Sequence, residues 1–219
     1  MLKRLNYLTH RWIGIVLGLL VFVWFGSGIV LMYYPYPELT ESQQLSLLQG
    51  YEPDATLIGV KRAVDLYAAQ GGGQDSVASA RLELWDGHLV YALTREHRGR
   101  SQDVARIDAH SGQILTPITP ETLIRVARGI VGPRAPLERV DLLPRSDHYF
   151  MGNEQRFAFP VYRVRFGDHA ATAVYVARNS GAIPAVVTRT TRITTWLGTV
   201  PHWLYFMWLY YDHPDAWMW

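Results

Sequence analysis

The sequence predicts a membrane-anchored protein built from an α-helical anchor, an exported α+β region and an aromatic interfacial helix. Three observations predict it: an uncharged apolar run near the start, an internal repeat in the middle, and a concentration of Trp and Tyr at the end. The repeat predicts two tandem modules in which a helix packs on a small antiparallel sheet. In chain order, the sequence predicts the amino terminus and anchor at 1–34, a linker at 35–54, the two modules at 55–118 and 119–188, and the aromatic interfacial segment at 189–219.

The first segment, 1–34, is long enough to cross a bilayer. As a helix rising about 1.5 Å per residue, the apolar run from Trp12 to Met32 spans about 30 Å, the thickness of the hydrocarbon core. The apolar part of a signal peptide is shorter, about 7–15 residues, and ends at small residues. Here the run continues into an interfacial cluster of Tyr and Pro, residues 33–37. We therefore expect a retained transmembrane helix.

Flanking charge sets the expected orientation. Lys3, Arg4 and Arg11 precede the helix, and the linker 35–54 carries acidic residues but no Lys or Arg. The positive-inside rule then keeps the amino terminus in the cytoplasm and the middle of the chain outside. Beyond residue 34 the chain has 18 basic and 19 acidic residues, which excludes the basic footprint of a nucleic-acid-binding protein. The absence of Cys excludes disulfides and thiol chemistry.

The middle of the chain contains two similar segments in the same order. "RIDAHSGQIL" (106–115) aligns with "YVARNSGAIP" (175–184) at an offset of 69 residues, and "TLIGVKRAV" (56–64) aligns with "TLIRVARGI" (122–130) at an offset of 66. Two matches with nearly equal offsets indicate a duplicated module of about 65 residues. The modules are predicted to occupy 55–118 and 119–188.

Each module is predicted to begin with a helix and continue as a sheet. In the first, Leu57, Val60, Val64 and Tyr67 recur at helical spacing, and the glycines 71–73 end the helix. Strands alternating at 78–84 and 89–93 flank the hairpin turn Asp86-Gly87, and residues 105–107 lead to the turn His110-Ser111-Gly112.

The second module repeats this plan. A helix is predicted near Leu123 to Val131, followed by a strand with Tyr162, Val164 and Phe166 on one face and the turn Gly167-Asp168. A strand at 174–176 then leads to the turn 179–181, and the stretch 145–157 is predicted to be a polar loop. The alternating Arg163 and Arg165 are predicted to form a solvated face or to contact lipid headgroups.

The turn pattern and the terminal segments resemble one known family. "IDAHSGQIL" is similar to the end of a PepSY module, although "VARNSGAIP" has Ala177 at the acidic position. "HRWIGIVLGLLVFVWFGSGIVLMYYPYPEL" and "WLGTVPHWLYFMWLYYDHPDAW" resemble the first helix of the PepSY-associated transmembrane family and the approach to its second helix. The resemblance implies a bacterial inner-membrane protein with a periplasmic PepSY region, similar to siderophore-iron reductases that hold haem b on helix histidines.

The resemblance implies two haem ligands, His10 and His202. The spacing of four residues also places His10, Gly14 and Gly18 on one helix face. Because glycine has no side chain, this face is flat beside the imidazole and could accept a macrocycle. Two other readings stay open, because Gly-x-x-x-Gly also brings helices together and a His at the membrane boundary can be solvated. His202 lies in the Trp-rich segment 196–211, which is short for a span and is predicted to lie flat at the membrane surface or dock on other helices.

The two histidines cannot share an iron if the predicted orientation holds, because His10 then lies near the cytoplasmic face and His202 near the periplasmic face. Each would belong to its own haem and need a second His from another helix, an arrangement suited to electron transfer across the membrane. Pro214 and Asp215 predict the start of a further helix just before the chain stops at Trp219. We therefore expect a fragment that precedes a second transmembrane helix.

Three functions remain open at the level of sequence. The first is a membrane oxidoreductase with haem b that acts in ferric-siderophore reduction. The second is a non-enzymatic periplasmic binding or regulatory protein, which inhibits a peptidase or binds a partner. The third is a structural membrane subunit. The expected partners are the lipid bilayer, further transmembrane helices or subunits, and a ferric siderophore or periplasmic protein; no nucleic acid is expected. The other six histidines are predicted to be solvated loop residues, with His97 in the charged loop "REHRGRSQD".

Overall fold

A computed structural model describes residues 2–34, 36, 56–72, 77–97, 100–149 and 159–212. The chain divides into two compact units, which we call the helical unit (Met1–Pro37 with Thr190–Trp219) and the sheet unit (Glu38–Arg189). Apart from Tyr36, the predicted linker 35–54 lies outside the described residues. So do most of the polar loop 145–157 and the helix start at Pro214.

The helices and strands follow one another in a simple order. They are, along the chain, α1 (Leu2–Tyr33), α2 (Val60–Tyr67) with a π-helical turn (Ala68–Gly72), β1 (Ser79–Trp85), β2 (His88–His97), β3 (Arg100–Asp108), α3 (Pro120–Val131), β4 (Leu137–Leu143), β5 (Val161–Phe166), β6 (Ala173–Ala177), β7 (Ala185–Val187), α4 (Arg189–Leu197), α5 (Thr199–Trp203) and α6 (Met207–Asp212).

The helical unit is organised around α1. The stretch Lys3–Tyr33 is long and apolar enough to cross a membrane, with a mean hydropathy of 2.5. Its side chains are almost all exposed, and Ser27 is a buried exception. The carboxyl-terminal segment from Arg189 to Asp212, which includes the Trp-rich stretch, forms three short helices, α4 to α6. Of these, α5 packs on α1. Docking on a helix is therefore the arrangement that the structure shows for α5.

The first sheet of the other unit has the strand order β1-β2-β3, and all its pairs are antiparallel. The predicted turn Asp86-Gly87 joins β1 to β2 with positive φ at both residues, 50° and 78°, as a type I′ turn requires. One face of this sheet carries the alternating apolar residues of the three strands and packs against α2, with Ala63, Leu93 and Ile107 fully buried.

The second sheet has the order β4-β5-β6-β7 and buries apolar side chains on both faces. The helix α3 covers one face with Leu123 and Ala127, next to Val164 and Phe166, as predicted. Thr119 caps α3, since its hydroxyl accepts from the Thr122 N–H at 3.3 Å, and Pro120 occupies the first turn.

The backbone repeats the turn that the sequence match predicts. In the first copy the Gly112 N–H donates to Asp108 O at 2.9 Å, and in the second the Gly181 N–H donates to Ala177 O at 2.7 Å. Both glycines have positive φ, 76° and 66°. The offset of 69 residues therefore joins equivalent positions of two similar turns.

The helix alignment at an offset of 66 is wrong. Before α2, the Ile58 N–H donates to Ala109 O at 2.9 Å; before α3, the Ile118 N–H donates to Arg178 O at 2.9 Å. Ile58 and Ile118 therefore occupy equivalent positions, so the starts of the two helices are related by an offset of 60 residues and not 66. The match failed because Thr-Leu-Ile precedes the helix in the first copy and lies inside it in the second, so Leu57 is not helical.

Two further expectations are corrected. Most of the predicted loop "REHRGRSQD" belongs to strands, because β2 runs to His97 and β3 begins at Arg100, while residues 98–99 lie outside the described residues. Arg163 and Arg165 do not form a solvated face, because both bind the carboxylate of Asp141 on β4, at 2.9 and 2.8 Å. The strand β4 itself was not predicted, and its side chains are mostly exposed.

Candidate functional site

The structure places His202 of α5 against the second half of α1. Its imidazole stacks on the ring of Trp24, with centroids 5.1 Å apart and an interplanar angle of 9°. Its Nδ1 lies 3.1 Å from the carbonyl oxygen of Trp24 and 3.3 Å from Oγ of Ser27. The site is therefore built from one turn of α1 and one residue of α5.

These contacts select one tautomer of the neutral ring. A carbonyl oxygen only accepts, so Nδ1 carries the proton that it donates to Trp24 O. The Ser27 hydroxyl donates to Val23 O at 2.7 Å, and its oxygen is left to accept from the same Nδ1. Neutral His202 therefore keeps an unprotonated Nε2, the form that a histidine needs to bind a metal.

A glycine makes room for the imidazole. A Cβ placed on Gly28 would lie 3.2 Å from Cε1 of His202, closer than most side chains approach, and 3.5 Å from Nδ1, an ordinary contact distance. Gly198, between α4 and α5, is similar, since its Cβ would lie 3.1 Å from Cγ1 of Val30. The small residues of α1 and the α4–α5 junction thus allow the close approach that sets the position of His202.

The other predicted ligand, His10, lies far from this site on the same helix. At about 1.5 Å per residue, the positions of His10 and Trp24 are separated by about 21 Å along the axis of α1. His10 is exposed, and a Cβ on Gly14 or Gly18 would meet nothing within 4 Å. The structure does not bring His10 and His202 together, and the face of His10, Gly14 and Gly18 is open.

The chemistry of the His202 imidazole is compatible with a haem ligand. A haem-ligating imidazole commonly donates its second ring N–H to a backbone carbonyl, and His202 does so to Trp24. His10 offers an imidazole beside an unobstructed helix face. Among the described residues, no group of three or more His, Cys, Asp or Glu could hold a metal ion.

Sequence reasoning missed Trp24, Ser27 and Gly28 as partners of His202. Ser27 is the one hydroxyl-bearing residue in the apolar run from Trp12 to Met32, and a lone polar group in a membrane helix is a recognisable sign of helix packing. It also missed the pairing of His88 with Asp108, where Nδ1 and Oδ2 are 3.0 Å apart. That pair spans two strands, which a search for short motifs does not detect.

Comparison with known proteins gives no match: no family model matches the chain, and no curated protein or solved structure is significantly similar to it. The resemblance to the PepSY-associated transmembrane family therefore stays a prediction.

Proposed function

We propose that this chain is a bacterial inner-membrane component of electron transfer that binds haem b and serves siderophore-iron reduction. The observation that supports it best is the anchored imidazole of His202, whose Nδ1–H bond to Trp24 leaves the lone pair on Nε2, where it can bind a metal. Support for the iron-uptake role comes from the sequence resemblance alone. The amino terminus faces the cytoplasm and the sheet unit faces the periplasm in this proposal.

Each residue of the site has a part in holding the group. His202 would hold the iron through Nε2, the Trp24 carbonyl keeps the proton on Nδ1, and Gly28 leaves space for the ring. His10 would hold a second haem at the cytoplasmic end, where the Gly14 and Gly18 face is open. Haem would supply a reversible one-electron change at iron. Further ligands would come from another helix or another copy.

The test is the absorption spectrum of the full chain, expressed with ample haem and purified in detergent. We expect a Soret band that loses about one haem of absorbance in His202→Ala and in His10→Ala. His169→Ala is the matched control, because His169 lies in a turn of the sheet unit, and its spectrum should be unchanged. A folded chain without a Soret band contradicts the proposal, and so does a band that neither variant alters.

A second candidate is a binding or regulatory role of the sheet unit alone. The observation in its favour is that the two sheets form one well-connected body. Arg125 of α3 binds Asp86 of the first hairpin with two nitrogens, at 2.8 and 2.6 Å. Trp85 packs with the core of the second sheet, and its Nε1 donates to Gly181 O at 3.3 Å. A chain that folds without haem would favour this function.

A further inference from the structure

A pocket of about 330 Å³ lies in the sheet unit, where α2 ends beside the first sheet. Gln70 and Gly71 of the π-helical turn form one wall, and Val104 of β3 lies on the sheet side. Gly71 has φ 85°, a conformation that lets the chain leave the helix and form this wall. Asn179, from the turn of the second copy, also lines the pocket. The duplication thus contributes residues of both copies.

Arg95, which lines the pocket, differs from other arginines of the strands in having no ion pair among the described residues. Five arginines on the strands are each paired with a carboxylate: Arg81, Arg106, Arg139, Arg163 and Arg165. Arg95 on β2 is half-buried and lines the pocket, and within the described ranges no ion pair involves it. Within the part of the chain that the structure describes, the pocket therefore holds one positive charge that has no carboxylate partner.

The guanidinium of Arg95 is held in position by a buried amide. Its Nε donates to Oε1 of Gln102, the residue directly opposite on β3, at 2.9 Å. Gln102 is only 6% exposed, so its side chain has little freedom to move. Among the described residues, neither terminal nitrogen of Arg95 has a hydrogen-bond partner, so both can donate to a ligand. A fixed guanidinium loses less entropy when a ligand binds, because its geometry is set in advance.

We propose that this pocket binds a carboxylate attached to a small apolar body, either the carboxyl terminus of a peptide or a free organic acid. The guanidinium fork matches a carboxylate, and a single arginine balances a single negative charge. Among the described residues that line the pocket there is no Asp or Glu, whereas Tyr67, Gln70 and Asn179 offer neutral hydrogen-bonding groups. Val104 and Ile114 provide apolar contact. A volume of about 330 Å³ is at the small end of ligand sites.

The experiment is a calorimetric titration of the full chain in detergent with three probes: acetyl-Ala-Leu with a free carboxylate, its carboxamide, and hexanoate. We expect saturable binding of at least one carboxylate probe and binding about 10- to 100-fold weaker for the carboxamide. Tighter binding of the peptide than of hexanoate identifies a peptide terminus as the ligand. The reverse order identifies a free acid.

The variants separate Arg95 from general charge effects. Arg95→Gln should weaken carboxylate binding about 10- to 100-fold, and Arg95→Lys should restore part of it, because Lys keeps the charge but not the fork. Arg81→Gln, the same change on the same sheet outside the pocket lining, should leave binding unchanged. If Arg95→Gln fails to fold, the comparison of carboxylate with carboxamide on the unaltered chain decides. Equal binding of those two, or no binding, overturns the proposal whether or not the chain holds haem.

Discussion

At the scale of single residues, the carboxylate of Asp108 closes the turn of the first copy. Its Oδ1 accepts the N–H groups of Ser111 and His110 at 2.7 and 3.0 Å, and its Oδ2 pairs with His88. Burial would raise the pKa of Asp108, but the bonds from Ser111, His88 and His110 outweigh it and lower the pKa to about 2. The equivalent residue Ala177 has no such group, so the carboxylate adds pH dependence to a turn that the backbone can form without it.

Asp108→Asn should therefore reduce stability at pH 7 by about 1–2 kcal/mol, through loss of charged hydrogen bonds. The pKa of Asp108 is lower in the folded chain than the ordinary value near 3.9, so its contribution is present above about pH 4 and is lost as pH falls toward 2. The variant should lose less stability than the unaltered chain over that range. Thermal unfolding at several pH values measures this.

The matched control is Asp65→Asn, which removes a carboxylate from an exposed i,i+4 pair with Lys61. Such pairs contribute about 0.3–0.5 kcal/mol. This control should keep most of the acid sensitivity of the unaltered chain. Identical pH profiles for Asp108→Asn and the unaltered chain would rule out the role assigned to the Asp108 carboxylate.

At the scale of elements, glycines set how closely neighbouring segments approach. Gly28 admits the His202 imidazole to the surface of α1, and Gly181 admits the indole of Trp85 to the second turn. A Cβ at Gly181 would lie 2.5 Å from Cζ2 of Trp85. Contacts of this kind tolerate no added methyl group without movement of one partner. Substitutions at Gly28 and Gly181 can each be compared with the same kind of substitution at a control glycine whose added Cβ would have no close neighbour.

Gly28→Val should loosen the docking of α5 on α1. Added volume at a packed contact costs about 1–3 kcal/mol, so amide hydrogen exchange in Thr199–Trp203 should be about 5- to 150-fold faster. Gly26→Val is the matched control on the same helix, because a Cβ there meets nothing within 4 Å. Exchange measured by mass spectrometry should not change in the control. Equal exchange in the two variants would show that α5 is not held at Gly28.

Gly181→Ala should destabilise the sheet unit more than Gly87→Ala does. Both positions have positive φ, 66° and 78°, so both substitutions introduce similar backbone strain. A Cβ at Gly87 meets nothing within 4 Å, whereas one at Gly181 meets Trp85. We expect a difference of about 1–3 kcal/mol in the free energy of unfolding. A difference near zero would mean that Trp85 moves aside at no cost.

The elements that the sequence predicts well are those with a local signal. The type I′ turn at Asp86-Gly87 and the turn ended by Gly112 follow from residues that favour positive φ, and α1 follows from its apolar run. The strand β4 was missed because its side chains are mostly exposed and show no clean alternation. The partners of Arg163 and Arg165 were missed because Asp141 lies on that strand.

The candidate site likewise has a part that the sequence could predict and a part that it could not. His202 could be singled out from the sequence, because it is a histidine within a dense aromatic segment. Its contacts with Trp24 and Ser27 could not, because α5 and α1 are far apart in the chain and meet only through tertiary packing. The unpaired state of Arg95 also depends on which carboxylates the sheets bring close. Long-range contacts carry most of the chemistry here.

At the scale of the whole molecule, the proposed function requires that α1 spans the membrane with its basic end in the cytoplasm. Lys3, Arg4 and Arg11 lie on the amino-terminal part of α1, and all Asp and Glu residues lie beyond it. That distribution favours an exported sheet unit. An outward-facing sheet unit would meet extracytoplasmic ligands, and the two candidate haem positions would lie toward opposite faces of the bilayer.

The most direct measurement is labelling of single cysteines with a membrane-impermeant maleimide on intact spheroplasts. The chain has no Cys, so each introduced thiol reports alone. Lys61→Cys places a thiol in the sheet unit at a side chain that is 88% exposed, and Lys3→Cys places one at the amino end of α1. We predict that the thiol at position 61 is labelled in intact spheroplasts and the thiol at position 3 only after the membrane is opened. The opposite pattern would contradict the orientation and the proposed transmembrane electron transfer.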